Sequence, residues 1–266
     1  MRFVAHQIRA SNVNLIMNDY TAGLPSPLSF LGLGDLLMRR LGGDPWAARV
    51  IPILHQVVPS KGRTKPEMEP KGSIFSPVEM IENQLGYVVL SLVLDLPGVE
   101  SEASVAEVLS AARIAGGSVQ NRFIRVSAIS PDGPGLQSVR RGVAMIPPVE
   151  RPDWCEISCG STESLGRVAQ IVFPAAREPG SGWPIPVAAG YRLLEDPENV
   201  PSRIGVRSRD VPHVFAEPVL GVAELLSIRN PRLRQAAKDD LDRLFWRWFA
   251  KDDFVVGHSV FHPVNH

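Results

Sequence analysis

The amino-acid sequence predicts an α+β fold, because strand and helix patterns follow one another in a regular order along its first half. Apolar runs of strand length occur at residues 2–10, 50–58, 86–94 and 119–128, and capped helix patterns occur at 26–41 and 104–114. The resulting order is strand, helix, strand, strand, helix, strand. This is the split βαβ, or ferredoxin-like, arrangement (βαββαβ), which RNA-recognition (RRM-like) modules also use.

The strand assignments depend on alternation and residue type. Residues 2–10 alternate between two faces and contain no helix cap, as a strand does. Residues 86–94 are rich in β-branched and aromatic side chains, which are typical of a central strand.

The helix assignments depend on caps and on an apolar face. Ser26 can cap free amides, and Pro27 is tolerated at the first helical position. Arg39 and Arg40 fall in the last turn of this helix, where the helix dipole favours cations. Ser104 with Glu107 three residues later forms the capping-box pattern of the second helix.

A proline- and glycine-rich stretch divides the chain. We expect a ferredoxin-like domain at residues 1–130, a linker or loop at 131–152, and a smaller C-terminal α/β extension at 153–266. Within this extension we expect a strand at 168–173, a short helix at 218–227 and a terminal helix at 231–250.

Composition excludes several classes of protein. The chain has 28 basic and 28 acidic residues, so nucleic-acid binding would require local clusters of charge. Its two cysteines, Cys155 and Cys159, exclude a disulfide-rich scaffold and do not make a metal site by themselves. We find no signal-peptide core and no apolar run of the ~18 residues that span a bilayer. These features predict a cytoplasmic protein without membrane contact.

Short motifs in a fixed order carry a resemblance to a known family. They begin with Asn12-Val13-Asn14 and a T-x-G-x-P-S-P-x-x-F-x-G-x-x-x-x-L-x-R-R pattern at 21–40. They continue with K-G-R-T-K at 61–65, A-G-G-S at 115–118, Gly182-Trp183, A-G-Y at 189–191, a segment at 207–224 that ends in G-x-x-E, and an aromatic segment at 244–249. In this order they resemble the Csy-two family of type I-F CRISPR surveillance (Cascade) complexes, which belongs to the Cas-five group of repeat-associated (RAMP) proteins.

The resemblance implies a function in antiviral defence against foreign DNA. A member of this family is a non-catalytic subunit that holds the 5′ handle of the CRISPR RNA. It also caps the filament of backbone subunits and pairs with a large subunit where one is present. In a minimal system the same subunit could contact target DNA near the protospacer-adjacent motif.

The predicted RNA-binding residues fall into five groups, each with an alternative role. Asn12 and Asn14 could read base edges or a ribose hydroxyl, or they could cap a turn. The backbone at Gly116, Gly117 and Ser118 could approach RNA closely, or it could simply end a helix.

The remaining candidates are basic. Lys61, Arg63 and Lys65 form a loop suited to phosphate contacts, or simply a solvated loop. A second patch comprises Arg207, Arg209 and His213, for which the alternative is an ion-pair network with Asp210 and Glu217. Arg39 could contact RNA or serve only the end of its helix. Trp246 and Trp248 could stack on bases, but we expect at least one in the core or in a subunit interface.

We predict that the protein is not an enzyme and that it needs no cofactor or metal. The alternative is a metal-independent endoribonuclease that processes precursor CRISPR RNA, in which His6, Tyr20, His55 and Lys61 would converge. A third possibility is a purely structural assembly subunit, which would have little affinity for RNA on its own.

Overall fold

The computed structural model of the chain describes most of its residues. These are residues 1–18, 21–60, 68–77, 84–129, 136, 138–149, 162–174, 181–201, 203–206, 211–236 and 238–258. Within this part of the chain, no helix has the length and apolar character needed to cross a membrane.

The described elements are mainly strands. They are β1 (Arg2–Asn14), β2 (Ile16–Asn18), β3 (Thr21–Ala22), β4 (Arg49–Pro59), β5 (Met68–Lys71), β6 (Ile74–Pro77), β7 (Leu85–Asp95), β8 (Arg113–Ile114), β9 (Gly117–Val119), β10 (Arg125–Ala128), β11 (Val143–Ile146), β12 (Trp183–Leu193), β13 (Ala216–Ser227), β14 (Trp246–Arg247), β15 (Phe249–Lys251) and β16 (Phe254–Val256). The α-helices are α1 (Pro27–Arg40), α2 (Glu102–Ala111), α3 (Thr162–Val172), α4 (Pro231–Arg234) and α5 (Lys238–Arg243).

One large antiparallel sheet of 12 strands organises the described part of the chain. Its order is β15-β16-β12-β13-β11-β4-β7-β1-β9-β8, with β10 also paired to β1 and β14 to β4. The long strands β4, β7 and β1 lie side by side near its middle. Two short hairpins, β2–β3 and β5–β6, lie outside it.

The predicted ferredoxin-like fold with a smaller C-terminal extension is therefore wrong. β11 pairs with β4 through Val143 and Leu54, and with β13 through Ile146 and Glu224. The sheet thus continues from the N-terminal strands into the C-terminal ones. The physical reason is that alternation identifies a strand but not its partner. The short β11 also lies in the proline- and glycine-rich stretch from which we predicted a linker.

Several C-terminal elements also differ from prediction. Residues 168–173, predicted as a strand, belong largely to α3, and 218–227, predicted as a helix, belong to β13. The predicted helix at 231–250 is divided into α4, α5, β14 and part of β15. Short apolar runs suit either a buried strand or a buried helix, and only their partners decide between the two.

The N-terminal elements lie close to their predicted positions. The side chain of Ser26 caps α1 by accepting a hydrogen bond from the amide of Leu28 at 3.2 Å, as predicted. The second helix runs from Glu102 to Ala111 and is capped by Ser101, so the predicted capping box at Ser104 is wrong and the helix ends three residues earlier than predicted. The predicted strand at 119–128 is divided between β9 and β10.

The sheet has a core on each face. Helices α1 and α2 cover one face, where Phe3, Ile8 and Leu90 belong to the same apolar cluster as the leucines of α1. On the opposite face, α4 and α5 pack over a second cluster that includes Val4, Ile51, Ile53, Val93, Leu233 and Phe245. Trp246 is 2% exposed and donates its indole N–H to the carbonyl of Met145 at 2.9 Å. This confirms the expectation that at least one of the two tryptophans lies in the core or in a subunit interface, and for Trp246 the place is the core.

Candidate nucleic-acid interface

Part of the middle of the sheet remains exposed on the face opposite α1. Arg9 and Gln56 both pair with Val89, and Val58 pairs with Tyr87 two residues earlier on the same central strand. Paired residues of an antiparallel sheet point to the same side, so these five side chains share one surface, here called the open face. Tyr87 is 36% exposed and Val58 is 44% exposed. An aromatic ring beside an arginine on an open sheet is suited to stacking on nucleic-acid bases.

Two bulges place polar side chains at the boundary between the open face and the second core cluster. The pairing of β7 shifts register in β1 between Ala5 and Ile8, and in β4 between Leu54 and Gln56. Gln7, in the first bulge, has a φ of 49°. β-Bulges change the direction in which side chains point, and they are common next to functional sites.

The bulges bring His6 and His55 to either side of Ser91, which lies on β7 and is 1% exposed. The Nδ1 of His55 lies 2.8 Å from the carbonyl of Arg141, and its Nε2 lies 2.7 Å from Ser91 Oγ. Because a carbonyl only accepts, Nδ1 carries a proton, and in neutral His55 the Ser91 hydroxyl donates to Nε2. The amide of Gln7 donates to the same Ser91 oxygen at 3.0 Å.

The surroundings of His6 favour its neutral form. Its Nε2 lies 2.9 Å from the hydroxyl oxygen of Ser127. Burial lowers the pKa of His6 most strongly, and the positive charges of Arg125 and His55 lower it further. The two histidines are thus close enough to repel each other when both are charged.

The predicted residues of the A-G-G-S motif form a hairpin against β1. Ala115 and Gly116 have φ values of 44° and 79° and connect β8 to β9 as a two-residue turn. Positive φ at both central positions is typical of the type I′ hairpin turn. The suggested alternative, a helix end, is therefore wrong, because α2 ends before this turn.

Gly117 and Ser118 bring the hairpin into contact with β1. Ser118 pairs with Ser11, and a Cβ atom on Gly117 would lie 2.7 Å from the Ser11 carbonyl oxygen and 2.8 Å from the Cα of Val13. Gly117 is buried, whereas Gly116 and Ser118 are exposed. The absent side chain of Gly117 is thus what allows the two backbones to meet.

Asn12 and Asn14 lie on the same corner, at the end of β1. The backbone amide of Asn14 donates to the Ala115 carbonyl at 2.9 Å, and its side-chain oxygen accepts from the Ile16 amide at 2.9 Å. Asn14 therefore does cap a turn, as the alternative suggested. Asn12 is exposed with a φ of 56°, and no hydrogen bond to its carboxamide occurs among the described residues. We call Asn12, Asn14, Gly116, Gly117 and Ser118 the rim.

Other predicted residues lie elsewhere. Lys61, Arg63, Lys65, Arg207 and Arg209 fall outside the described residues. Ser60, which immediately precedes this lysine-rich segment, is hydrogen-bonded to the carbonyl of Leu85, and Leu85 pairs with Asn14. The chain therefore enters the basic segment beside the rim.

Arg39 and His213 are not brought to the rim. Arg39 lies in the last turn of α1, on the helix-covered side, where its charge lowers the pKa of Asp35 while burial, the larger effect, raises it. His213 is half-buried beside the far end of β12 and β13, with its Nδ1 2.9 Å from the carbonyl of Val211.

Sequence reasoning missed part of this surface. Arg9, Gln56 and Tyr87 were not predicted, and neither was Asn121, whose side chain accepts from the Arg9 amide at 2.6 Å and donates to the Gln7 carbonyl at 3.1 Å. The sequence did contain one signal of this surface. Tyr87, Val89 and Ser91 occupy alternate positions of β7, so the hydroxyl groups of Tyr87 and Ser91 lie on one face of an otherwise apolar strand. No group of His, Cys, Asp and Glu that could hold a metal ion occurs within the described ranges.

One family model matches the C-terminal part of the chain. Residues 157–254 match the family described as CRISPR-associated protein (Cas_Csy2). This match supports the resemblance to the Csy-two family that was drawn from the sequence motifs. No curated protein matches the chain.

The matched segment contains a buried charge cluster that joins two of the sequence motifs. Glu224, from the G-x-x-E motif, is 1% exposed, and its Oε1 accepts from the amide of Gly182 at 2.7 Å and from Arg232 Nη1 at 2.7 Å. Gly182 leaves room for this contact, because a Cβ there would lie 2.5 Å from Glu224 Cγ. We call Gly182, Glu224 and Arg232 the brace. Through these hydrogen bonds, the brace connects the start of β12 and helix α4 to β13.

Proposed function

We propose that this protein is a non-catalytic subunit of a type I-F or variant CRISPR RNA-guided complex that binds the 5′ handle of the CRISPR RNA in the cytoplasm. The observation that carries this proposal is the meeting of the rim with the open face. Two motifs about 100 residues apart in the sequence meet there through the pairing of Ser11 with Ser118. Exposed amide groups, backbone groups of a tight turn, an arginine and a tyrosine thus share one corner of the sheet.

The chemistry of this corner suits single-stranded RNA. A carboxamide both donates and accepts hydrogen bonds, so Asn12 can pair with a base edge or a ribose 2′-hydroxyl. Tyr87 offers a ring for stacking, and Arg9 offers a cation for a phosphate or a base. Ser60, the last described residue before the basic segment 61–65, lies at the same corner, and the charges of that segment would add phosphate contacts.

Asn12 provides the sharpest test. Asn12→Gly removes the carboxamide and still tolerates the positive φ, so the fold should be unchanged. We expect affinity for a fluorescent handle oligonucleotide to fall about three- to tenfold, the loss of one or two hydrogen bonds. Asn12→Asp keeps the shape but adds a negative charge, so its affinity should fall further.

The control is Gln170→Ala, which removes an exposed amide from α3. Its affinity should equal that of the wild type, as measured by fluorescence anisotropy on the purified complex. If Asn12→Gly and Asn12→Asp also bind like the wild type, the rim does not contact the handle.

The endoribonuclease alternative is favoured by one observation, the placement of His6 and His55 on either side of Ser91. Against it, both ring nitrogens of His55 already have hydrogen-bond partners, which suits a positioning role better than proton transfer. Tyr20 and Lys61 lie outside the described residues. We expect repeat-containing precursor RNA to remain intact with the protein in EDTA. Discrete cleavage that disappears in a His6→Ala, His55→Ala variant would establish the alternative.

The proposal includes the partners that the family resemblance implies. These are the backbone subunit, whose filament this protein would cap, a large subunit where the system has one, and target DNA near the protospacer-adjacent motif. Exposed aromatic side chains away from the open face, among them Trp46 at 53% and Trp183 at 58%, offer contact area for protein partners. Co-purification of the tagged chain with CRISPR RNA and partner subunits tests this part.

A further inference from the structure

Three arginines line one cavity on the same side of the sheet as the open face. They are Arg141, next to β11, Arg229, just after β13, and Arg234, in α4. The rest of the cavity wall is apolar and comes from Leu136, Val139 and Ile228, which are 1%, 8% and 5% exposed. We call this the arginine pocket.

Within the described part of the chain, no acid balances the charge of the pocket. All three arginines are exposed, and none of them forms an ion pair with another described residue, whereas Arg192, Arg203 and Arg232 each do. The described residues that line the cavity include no carboxylate. Like charges held together repel, and an apolar wall lowers the local dielectric and strengthens that repulsion. An anion would relieve it.

The backbone of the pocket is held in place by hydrogen bonds. The amide of Ile228 donates to the Gly142 carbonyl at 3.0 Å, and the amide of Arg234 donates to the Asn230 carbonyl at 2.9 Å. The carbonyl of Arg141 is 2.8 Å from the Nδ1 of His55. The pocket therefore adjoins the polar cluster that borders the open face, and the two surfaces are continuous through His55.

We propose that Arg141, Arg229 and Arg234 bind phosphate groups of the CRISPR RNA beyond the nucleotides that contact the rim. The planar guanidinium forms paired hydrogen bonds with phosphate, and three of them match the spread charge of an RNA backbone better than that of a compact acid. Such contacts would hold the strand in position without reading its sequence. This inference rests on the proposed handle-binding function.

The test uses the Cascade complex assembled with either wild-type protein or an Arg229→Ala, Arg234→Ala double variant. Affinity for the CRISPR RNA is measured by filter binding over a range of salt concentrations. The loss of two phosphate contacts should weaken binding at least about tenfold and reduce the slope of log K against log salt by about 1.4, at roughly 0.7 per contact. Arg229→Lys with Arg234→Lys keeps the charge and should restore most of the slope but only part of the affinity.

The matched control is Arg40→Ala with Lys251→Ala, which removes the same charge from exposed positions on α1 and β15. Its affinity and slope should equal those of the wild type. If wild type binds RNA and the pocket variant binds equally well with the same melting temperature, the pocket inference is overturned and the handle-binding function stands.

A second arm uses inorganic phosphate and a DNA oligonucleotide of the same sequence. In one outcome, wild type fails to bind RNA, and inorganic phosphate raises the melting temperature of wild type but not that of the pocket variant. The pocket is then an anion site, and both RNA proposals fail. If the pocket substitutions weaken DNA binding but leave RNA binding unchanged, the assignment of the pocket to the CRISPR RNA is overturned in favour of target DNA.

Discussion

The rim and the brace use polar residues in opposite ways. In the rim, Asn12, Gly116 and Ser118 are exposed. In the brace, Glu224 is buried and its Oε1 accepts hydrogen bonds from a backbone amide and from an arginine. Exposed polar groups cost little to the free energy of folding and remain available to a ligand, whereas buried charges must be paired. Substitutions of the exposed rim residues should therefore change binding, and substitutions in the brace should change stability.

The largest effect on stability is expected from the brace. Glu224→Ala leaves the partly buried Arg232 guanidinium without its carboxylate and the Gly182 amide without its acceptor. Removing one member of a buried pair costs about 3–5 kcal/mol of the free energy of unfolding. Urea denaturation followed by circular dichroism measures it.

The matched control for the brace is Glu217→Ala, an exposed acid on the same strand, which should change stability by no more than about 0.5 kcal/mol. Equal effects of the two substitutions would mean that burial of Glu224 adds nothing. Loss of handle affinity at full stability in Glu224→Ala would also contradict the division between the two regions.

Acid should destabilise the C-terminal part of the sheet through a buried histidine. His258 is 7% exposed and packs edge-on against Trp246 at 6.4 Å between ring centroids. Burial first and the charge of Arg247 second lower its pKa from the ordinary 6.5 to about 4, although a backbone hydrogen bond opposes the shift.

The sign follows from proton binding. Between pH 6.5 and about 4 the unfolded chain binds a proton at this position and the folded chain does not. Stability is thus full above the unfolded pKa and falls as the pH is lowered, by about 3 kcal/mol in all from this residue. Urea midpoints for wild type and His258→Gln across this range measure it. The variant should show a shallower decline, and parallel curves would exclude His258 as the source.

The smallest effects on stability concern two glycines that the structure distinguishes. Gly117→Ala places a methyl group against the β1 backbone and should cost about 1–3 kcal/mol, with a loss of handle affinity because the hairpin must move. Gly32 is exposed in α1, and no atom outside its own helix lies within 4 Å of the position that a methyl group would occupy. Gly32→Ala should therefore stabilise the protein by about 0.5–1 kcal/mol.

Thermal melts of both variants test whether Gly117→Ala lowers the stability and Gly32→Ala raises it. Handle-binding assays test the expected loss of affinity in Gly117→Ala. A destabilised Gly117→Ala that still binds the handle with wild-type affinity would separate the hairpin from the RNA site. An unchanged melting temperature in Gly117→Ala would mean that β1 and the hairpin can separate without cost.

The rim illustrates how far the sequence could predict a site. The Asn12-Val13-Asn14 and A-G-G-S motifs were each suspected of contacting RNA, and the structure places them side by side. The open face was not predicted, because Arg9, Gln56 and Tyr87 are ordinary strand residues whose common surface depends on register and on two bulges. The arginine pocket was missed for the same reason, since its three arginines come from segments up to 93 positions apart in the sequence.

The sequence by itself determined the resemblance to the Csy-two family, the helix start at Ser26 and the long strands β1, β4 and β7, because caps, alternation and ordered motifs are local properties of a chain. Only the tertiary structure decided that β11 joins the N-terminal and C-terminal strands into one sheet, that residues 218–227 form a strand, and which polar residues share a surface. These outcomes depend on hydrogen bonds between distant segments, and a chain with short apolar runs does not specify those partners locally.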